Sequence, residues 1–192
     1  MSQYLYSRIN FSRTKRRGWL GSFEEIWDQF LKEAARKEAQ ISAERKRVTV
    51  FLLGPGFPHS ELDRRRALRD ELKRLGINAI VMEDLPAWNK GNLSNKFRDI
   101  IEKFKPDLYV AIFTRLGRSL GITFELGFLT ALLGTDELKR RLRYCLETRL
   151  DASKVMSAYV REQLPMTTVQ VFRDDSGLLR AVVNFVDNYT LS

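Results

Sequence analysis

Apolar positions along this chain keep one period up to about residue 46 and another after it. Phe23, Ile26, Trp27, Phe30, Leu31 and Ala34 recur at the three- and four-residue spacing of a single helix face. Ser22 reads as an N-cap, with Glu24 and Glu25 in the first turn. The spacing predicts one amphipathic helix over 22–45, whose apolar face must pack on the rest of the chain or on a second subunit. From residue 48 short apolar runs alternate with helical patterns. Strands are predicted at 48–53, 78–82, 107–113, 143–146 and 168–172. Helices are predicted at 60–75, 95–104, 123–133, 152–163 and 177–189. Gly54 and Gly56 break the chain after the first strand, Gly76 closes the first of these helices, and Lys105-Pro106 ends the second. The run 107–113 is apolar enough to be buried on both faces.

Strands alternating with helices across short loops imply an α/β domain over 47–192, preceded by a 1–46 extension of basic arm and helix. The sheet is parallel, has about five strands and carries helices on both faces. In such folds a ligand sits beyond the carboxyl ends of the strands, where the strand order reverses. The loops at 54–60 and 114–124 therefore line the expected site, before any residue in them is considered.

Composition narrows the setting. Of 192 residues, 44% are hydrophobic, and no apolar run is long enough to cross a bilayer. The start of the chain lacks the apolar stretch of a secretory signal, and a lone cysteine, Cys145, excludes an intrachain disulfide framework. A reducing, cytoplasmic location is expected, with no membrane partner. A net charge of +9 and a pI near 9.8 favour anionic partners such as nucleotides or nucleic acid. The charge gathers at Arg13 to Arg17, at Arg45 to Arg47 and at Lys139 to Arg143. Such clusters are most often solvated helix faces. The arm, with Tyr4, Tyr6, Arg8, Phe11 and Arg13, combines stacking and cationic groups suited to single-stranded nucleic acid, or docks on its own fold.

Two loops carry candidate chemistry. Residues 54–60 read GPGFPHS: glycines after a strand let a ligand approach the backbone, and the next helix N-terminus favours anions. His59 stands where a dinucleotide fingerprint needs its third glycine, and no Gly-Lys-Ser/Thr follows for a P-loop. A tight turn and a phosphate cradle remain equal readings. Residues 119–127 read SLGITFELG, placing Glu125 in the first turn of an apolar helix. A carboxyl group there is either desolvated and reactive or complements the helix dipole.

The Ser-Leu-Gly-x-x-Phe-Glu-Leu-Gly stretch after a buried strand beginning at Asp107 resembles the nucleoside 2-deoxyribosyltransferase superfamily. It is most similar to the 2'-deoxynucleoside 5'-phosphate N-hydrolase branch. The resemblance implies a Rossmann-like (flavodoxin-like) sheet, and a nucleotide N-glycosidase whose glutamate, here Glu125, attacks the sugar C1' to displace the base. It places Ser119 at the phosphate, within a loop that includes Gly121 and faces Gly54 and Gly56, and Asp99, eight residues before Asp107, at the leaving base. Residues 154–161 (KVMSAYVR) resemble the segment whose serine, here Ser157, reaches the phosphate in a neighbouring subunit, which implies a homodimer. No metal or cofactor is implied. The chain departs from the family pattern at Phe51, where a tyrosine is expected, and in loop 54–60, which lacks an arginine. The stretch from Asp107 to Glu125 is longer and supplies Arg115 and Arg118, which can replace that phosphate contact. A TIR-like domain acting on NAD and a non-catalytic nucleotide- or nucleic-acid-binding module share this outline.

Overall fold

The computed structural model describes residues 17–85, 93–118, 120–150 and 169–191. Contacts divide the chain into two compact units, Met1–Gln40 and Ile41–Ser192. The first contains most of α1 (Arg17–Arg45). This helix begins before Ser22, which is therefore an interior residue and not an N-cap. Trp19 and Leu20 extend the helical spacing of Phe23 and Trp27 toward the N-terminus, and no proline interrupts it. Phe23, Ile26, Trp27, Phe30 and Leu31 are all exposed. The Trp27 and Phe30 rings stack at 5.5 Å.

The second unit is the expected α/β domain. Its elements are β1 (Thr49–Leu53), α2 (His59–Arg74), β2 (Asn78–Val81), α3 (Leu93–Phe104), β3 (Leu108–Phe113), α4 (Leu120–Leu133), α5 (Thr135–Arg141), β4 (Leu142–Glu147), β5 (Val169–Phe172) and α6 (Asp175–Thr190). The five strands form one parallel sheet in the order β2-β1-β3-β4-β5. This is the doubly wound, flavodoxin-like order, whose switch lies between β1 and β3. The predicted helix at 152–163 falls outside the described residues.

Strand alternation sorts the core into two layers. Phe51, Leu53, Tyr109, Ala111, Phe113 and Tyr144 face Phe97 and Ile100 of α3, Ile122, Leu126 and Leu129 of α4, and Leu138 of α5. Val50, Leu52, Val110, Ile112 and Cys145 face Leu68 and Leu72 of α2 and Leu178, Val182 and Val186 of α6. Burial among these side chains pushes the Cys145 thiol up to about 12, so it stays protonated.

Three boundaries differ from the pattern for identifiable reasons. α5 was not foreseen, because its seven residues are too few to show a period. α6 starts two residues early, since Asp174 caps it by accepting a hydrogen bond from the Gly177 amide at 2.7 Å. α4 begins at Leu120 instead of 123, which places Glu125 in the second turn. There the helix-dipole effect has largely decayed.

The basic clusters within the described residues are mostly structural. Arg45 holds Asp187 of α6 through two 2.7 Å bonds, and Arg47 pairs with Glu44 at 3.1 Å. Arg140 and Arg141 pair with Glu137 at 2.9 and 3.1 Å. Arg141 also donates to the carbonyl of Asp107 at 2.6 Å and to that of Pro106, tying the start of β3. No helix among the described residues is long and apolar enough to cross a membrane.

Candidate functional site

The carboxyl ends of β1 and β3 open onto the two loops expected to line a site. They are bound together tightly. The Arg118 amide donates to the Phe57 carbonyl at 3.3 Å. A Cβ on Gly117 would lie 2.2 Å from Pro55 Cγ and 2.6 Å from Thr114 Oγ1, so only glycine allows this approach.

The first loop's glycines make room for side chains of the protein itself. A Cβ on Gly54 would meet Arg65 Cδ at 2.9 Å, and one on Gly56 would meet Glu83 Oε1 at 3.2 Å. Arg65 comes from α2, crosses the end of β1 over Gly54, and donates to Glu83 Oε1 at 2.5 Å. Glu83 lies in the short 3-10 turn Met82–Asp84 that follows β2. The space expected for a phosphate cradle at Gly54 and Gly56 thus holds a guanidinium–carboxylate pair.

Glu125 of α4 lies within electrostatic reach of this pair. It is 7% exposed, and its Oε2 has no hydrogen-bond partner among the described residues. Desolvation raises its pKa from 4.5 to about 8. The Arg65 charge pulls the value down and the Glu83 charge pushes it up. Near neutral pH this carboxyl group is therefore largely protonated, and Arg65 is the group that favours its ionised form. Arg65 is itself only 3% exposed, and its Nε is also without a hydrogen bond.

Beside this crevice lies a cavity of about 10 Å³, lined by Pro55, Glu61, Arg65, Ile112 and Thr114 among others. That is room for about one water. Glu61 Oε2 is buried there without a hydrogen bond among the described residues. Farther along the edge, Arg64 gathers Asp175 at 2.5 Å, Glu147 at 3.5 Å and Glu61 at 3.9 Å, and lies 5.4 Å from the Phe172 ring centroid. Among the described residues, no group of three or more His, Cys, Asp or Glu side chains has the arrangement to hold a metal ion.

The sequence-derived candidates are only partly united. Gly54 and Gly56 lie against Arg65 and Glu83, whose charges both act on Glu125. Gly121 is the second residue of α4, with open space where a Cβ would be. Arg118 lies at the rim, its guanidinium 4.9 Å from the Phe57 ring centroid. Arg115 is drawn to Glu147 instead, with its amide 2.8 Å from Oε2. Asp99 is on the half-exposed side of α3 and pairs with Lys103 at 3.2 Å. No hydrogen bond or ion pair of the described residues joins it to Glu125. Ser119 and Ser157 lie outside the described residues. Phe51 is fully buried, edge-on to Phe97 and Tyr109 at 6.0 and 6.4 Å, and so belongs to the core.

Arg65 and Glu83 were missed, although a signal for Arg65 existed. The buried positions of α2 are Glu61, Arg65, Leu68 and Leu72. Their spacing is one helix stripe, so two charged residues stand on the apolar face. No periodicity marks Glu83, because it lies in a turn.

Comparison with protein-family models gives no match to the chain, and comparison with curated proteins gives none.

Proposed function

We propose that the protein is a nucleotide N-glycosidase-type hydrolase whose nucleophile is Glu125. The observation that carries the reading is a carboxyl group 7% exposed, with one oxygen unpartnered, at the switch between β1 and β3. A bond forms from the Glu125 carboxylate to the sugar C1' as the C1'–N bond breaks. The electron pair leaves with the base, which takes up a proton. Water then attacks C1' and releases Glu125. Only the ionised carboxylate can attack, so Arg65 serves the step by raising that fraction. The remaining roles rest on the resemblance: Asp99 as proton donor to the base, Ser119 at the phosphate, and Ser157 supplied by a second subunit in a homodimer; Arg118 stands in for the phosphate arginine that loop 54–60 lacks. The exposed apolar face of α1 is one surface on which such a dimer can form. A cytoplasmic setting fits the single buried thiol.

A second reading, a non-catalytic nucleotide- or nucleic-acid-binding module, is favoured by two specific observations. Glu125 rests mostly protonated at neutral pH, and the neighbouring Arg65–Glu83 pair already occupies the space above the loop glycines. A panel of ribo- and deoxyribonucleoside monophosphates and NAD, with free base detected by chromatography, separates the readings. Release from a monophosphate supports the hydrolase, release from NAD alone moves the assignment to the TIR-like alternative, and no release leaves the binding module.

A further inference from the structure

Five large apolar side chains of α1, Phe23, Ile26, Trp27, Phe30 and Leu31, are each between 48% and 63% exposed. They share one face, since spacings of three and four residues make a single helix stripe. Trp27 and Phe30 already stack at 5.5 Å, so part of the surface is ordered before anything binds. With aromatic side chains of about 150–250 Å² each, the stripe leaves on the order of 500 Å² of apolar surface in water, the upper end of what a monomer exposes. Two such stripes buried against each other remove roughly 1,000 Å², which reaches the lower bound for a specific interface.

The charges around the stripe choose its occupant. Between residues 23 and 40, five acidic side chains outnumber Lys32, Arg36 and Lys37. A helix that lies on lipid carries basic residues beside its apolar stripe, and nucleic acid needs a cationic surface. Neither fits here, and a second copy of the same helix does. Phe23, Trp27, Phe30 and Ala34 alternate spacings of four and three, the seam of a coiled coil, with Ile26 and Leu31 on its two flanks. Lys37 takes the next seam position, 3.5 Å from Glu33 of its own helix. Parallel copies would set Lys37 against Lys37 in the seam and Glu33 against Glu38 at the flank. Antiparallel copies avoid both. With Trp27 opposite the partner's Phe30, Phe23 falls opposite the partner's Ala34, large against small. Glu24 and Glu33 then face the partner's Leu31 and the partner's Ile26 instead of other acids, and each Lys37 lies at an outer end. We propose that α1 pairs with α1 of a second copy as a short antiparallel coiled coil centred between Trp27 and Phe30. The pairing uses α1 alone and is independent of any role of Glu125 or Ser157.

Sedimentation velocity of the full chain over about 1–200 µM tests it. The expected result is a reversible monomer–dimer equilibrium in the micromolar range, weakened at least about tenfold in Trp27→Glu/Phe30→Glu. Orientation is read by disulfide formation, because the native Cys145 is buried. Mixed Phe23→Cys and Ala34→Cys proteins form a cross-linked heterodimer, whereas neither protein alone cross-links efficiently. A wild type that stays monomeric throughout overturns the proposal, since the stripe is then covered by the α/β domain or by another protein. A dimer that the double variant leaves unchanged overturns it too, because the contact then lies on another surface. Efficient cross-linking of either cysteine variant alone overturns the antiparallel pairing. The cross-link and the wild-type equilibrium are decisive even where the double variant fails to fold.

Discussion

Arg64 and Arg65 are adjacent in α2, yet they organise opposite halves of the sheet's carboxyl edge. Arg65 points toward β1 and β2, is 3% exposed, and meets Glu83 and the influence of Glu125. Arg64 points toward β4 and β5, is 20% exposed, and meets Asp175, Glu147 and Glu61. The Arg64 guanidinium has carboxylates on several sides and solvent for the remainder. Among the described residues, Arg65 Nε, Glu83 Oε2 and Glu125 Oε2 are buried without a hydrogen bond, against Glu61 Oε2 alone on the Arg64 side. A largely paired, half-wet cluster braces loops at modest net gain. On the other side, desolvation holds the Glu125 carboxyl group largely protonated at neutral pH.

The sharpest way to break this contrast is to remove the Glu125 carboxylate. Under the hydrolase reading, Glu125→Gln lowers base release by about a thousandfold or more while ligand affinity changes little, as single-turnover assays and calorimetry will show. Unchanged release would move the chemistry elsewhere. Next in size is Arg65→Met. It leaves Glu83 without its partner and raises the Glu125 pKa further, and a loss on the order of 3 kcal/mol is expected in urea unfolding.

The third prediction concerns pH. The folded-state pKa of Glu125, about 8, lies above its unfolded value of 4.5. The native state therefore holds the extra proton between those values, and stability falls as pH rises through that window, by on the order of a few kcal/mol. Glu125→Gln flattens this slope, so it melts above wild type at pH 8.5 and close to it at pH 4.5. A wild-type melting temperature constant across the window contradicts the assignment. In the same range base release rises with pH if Glu125 is the nucleophile and falls if it is a proton donor. The smallest effect belongs to Arg64→Met, at about 1 kcal/mol or less in urea unfolding and with base release unchanged, because its partners can turn to water. A loss as large as that of Arg65→Met would erase the distinction between the two regions.

Much of the frame could be read from the chain. Strand alternation marks both core layers, and the loops after β1 and β3 follow from the order of elements. Glu125 stands out as the acidic residue in an apolar helix. The meaning of Gly54 and Gly56 could not be read the same way. A glycine reports that something comes close, and here the neighbours are Arg65 from α2 and Glu83 from the turn after β2. For Asp99, the spacing from Asp107 says nothing of its surroundings, which are Lys103 and the half-exposed side of α3.

By itself, the sequence determined the alternating α/β architecture, the amphipathic extension and the candidacy of Glu125. These depend on local periodicity and residue type, which hydrophobic burial translates directly into elements. Only the tertiary structure decided that Glu125 is dry and largely protonated, that Arg65 crosses Gly54 to reach Glu83, and that the neighbouring Arg64 turns the other way. Protonation state and orphaned hydrogen bonds depend on which side chains from distant elements share a volume closed to water. No local pattern encodes that volume.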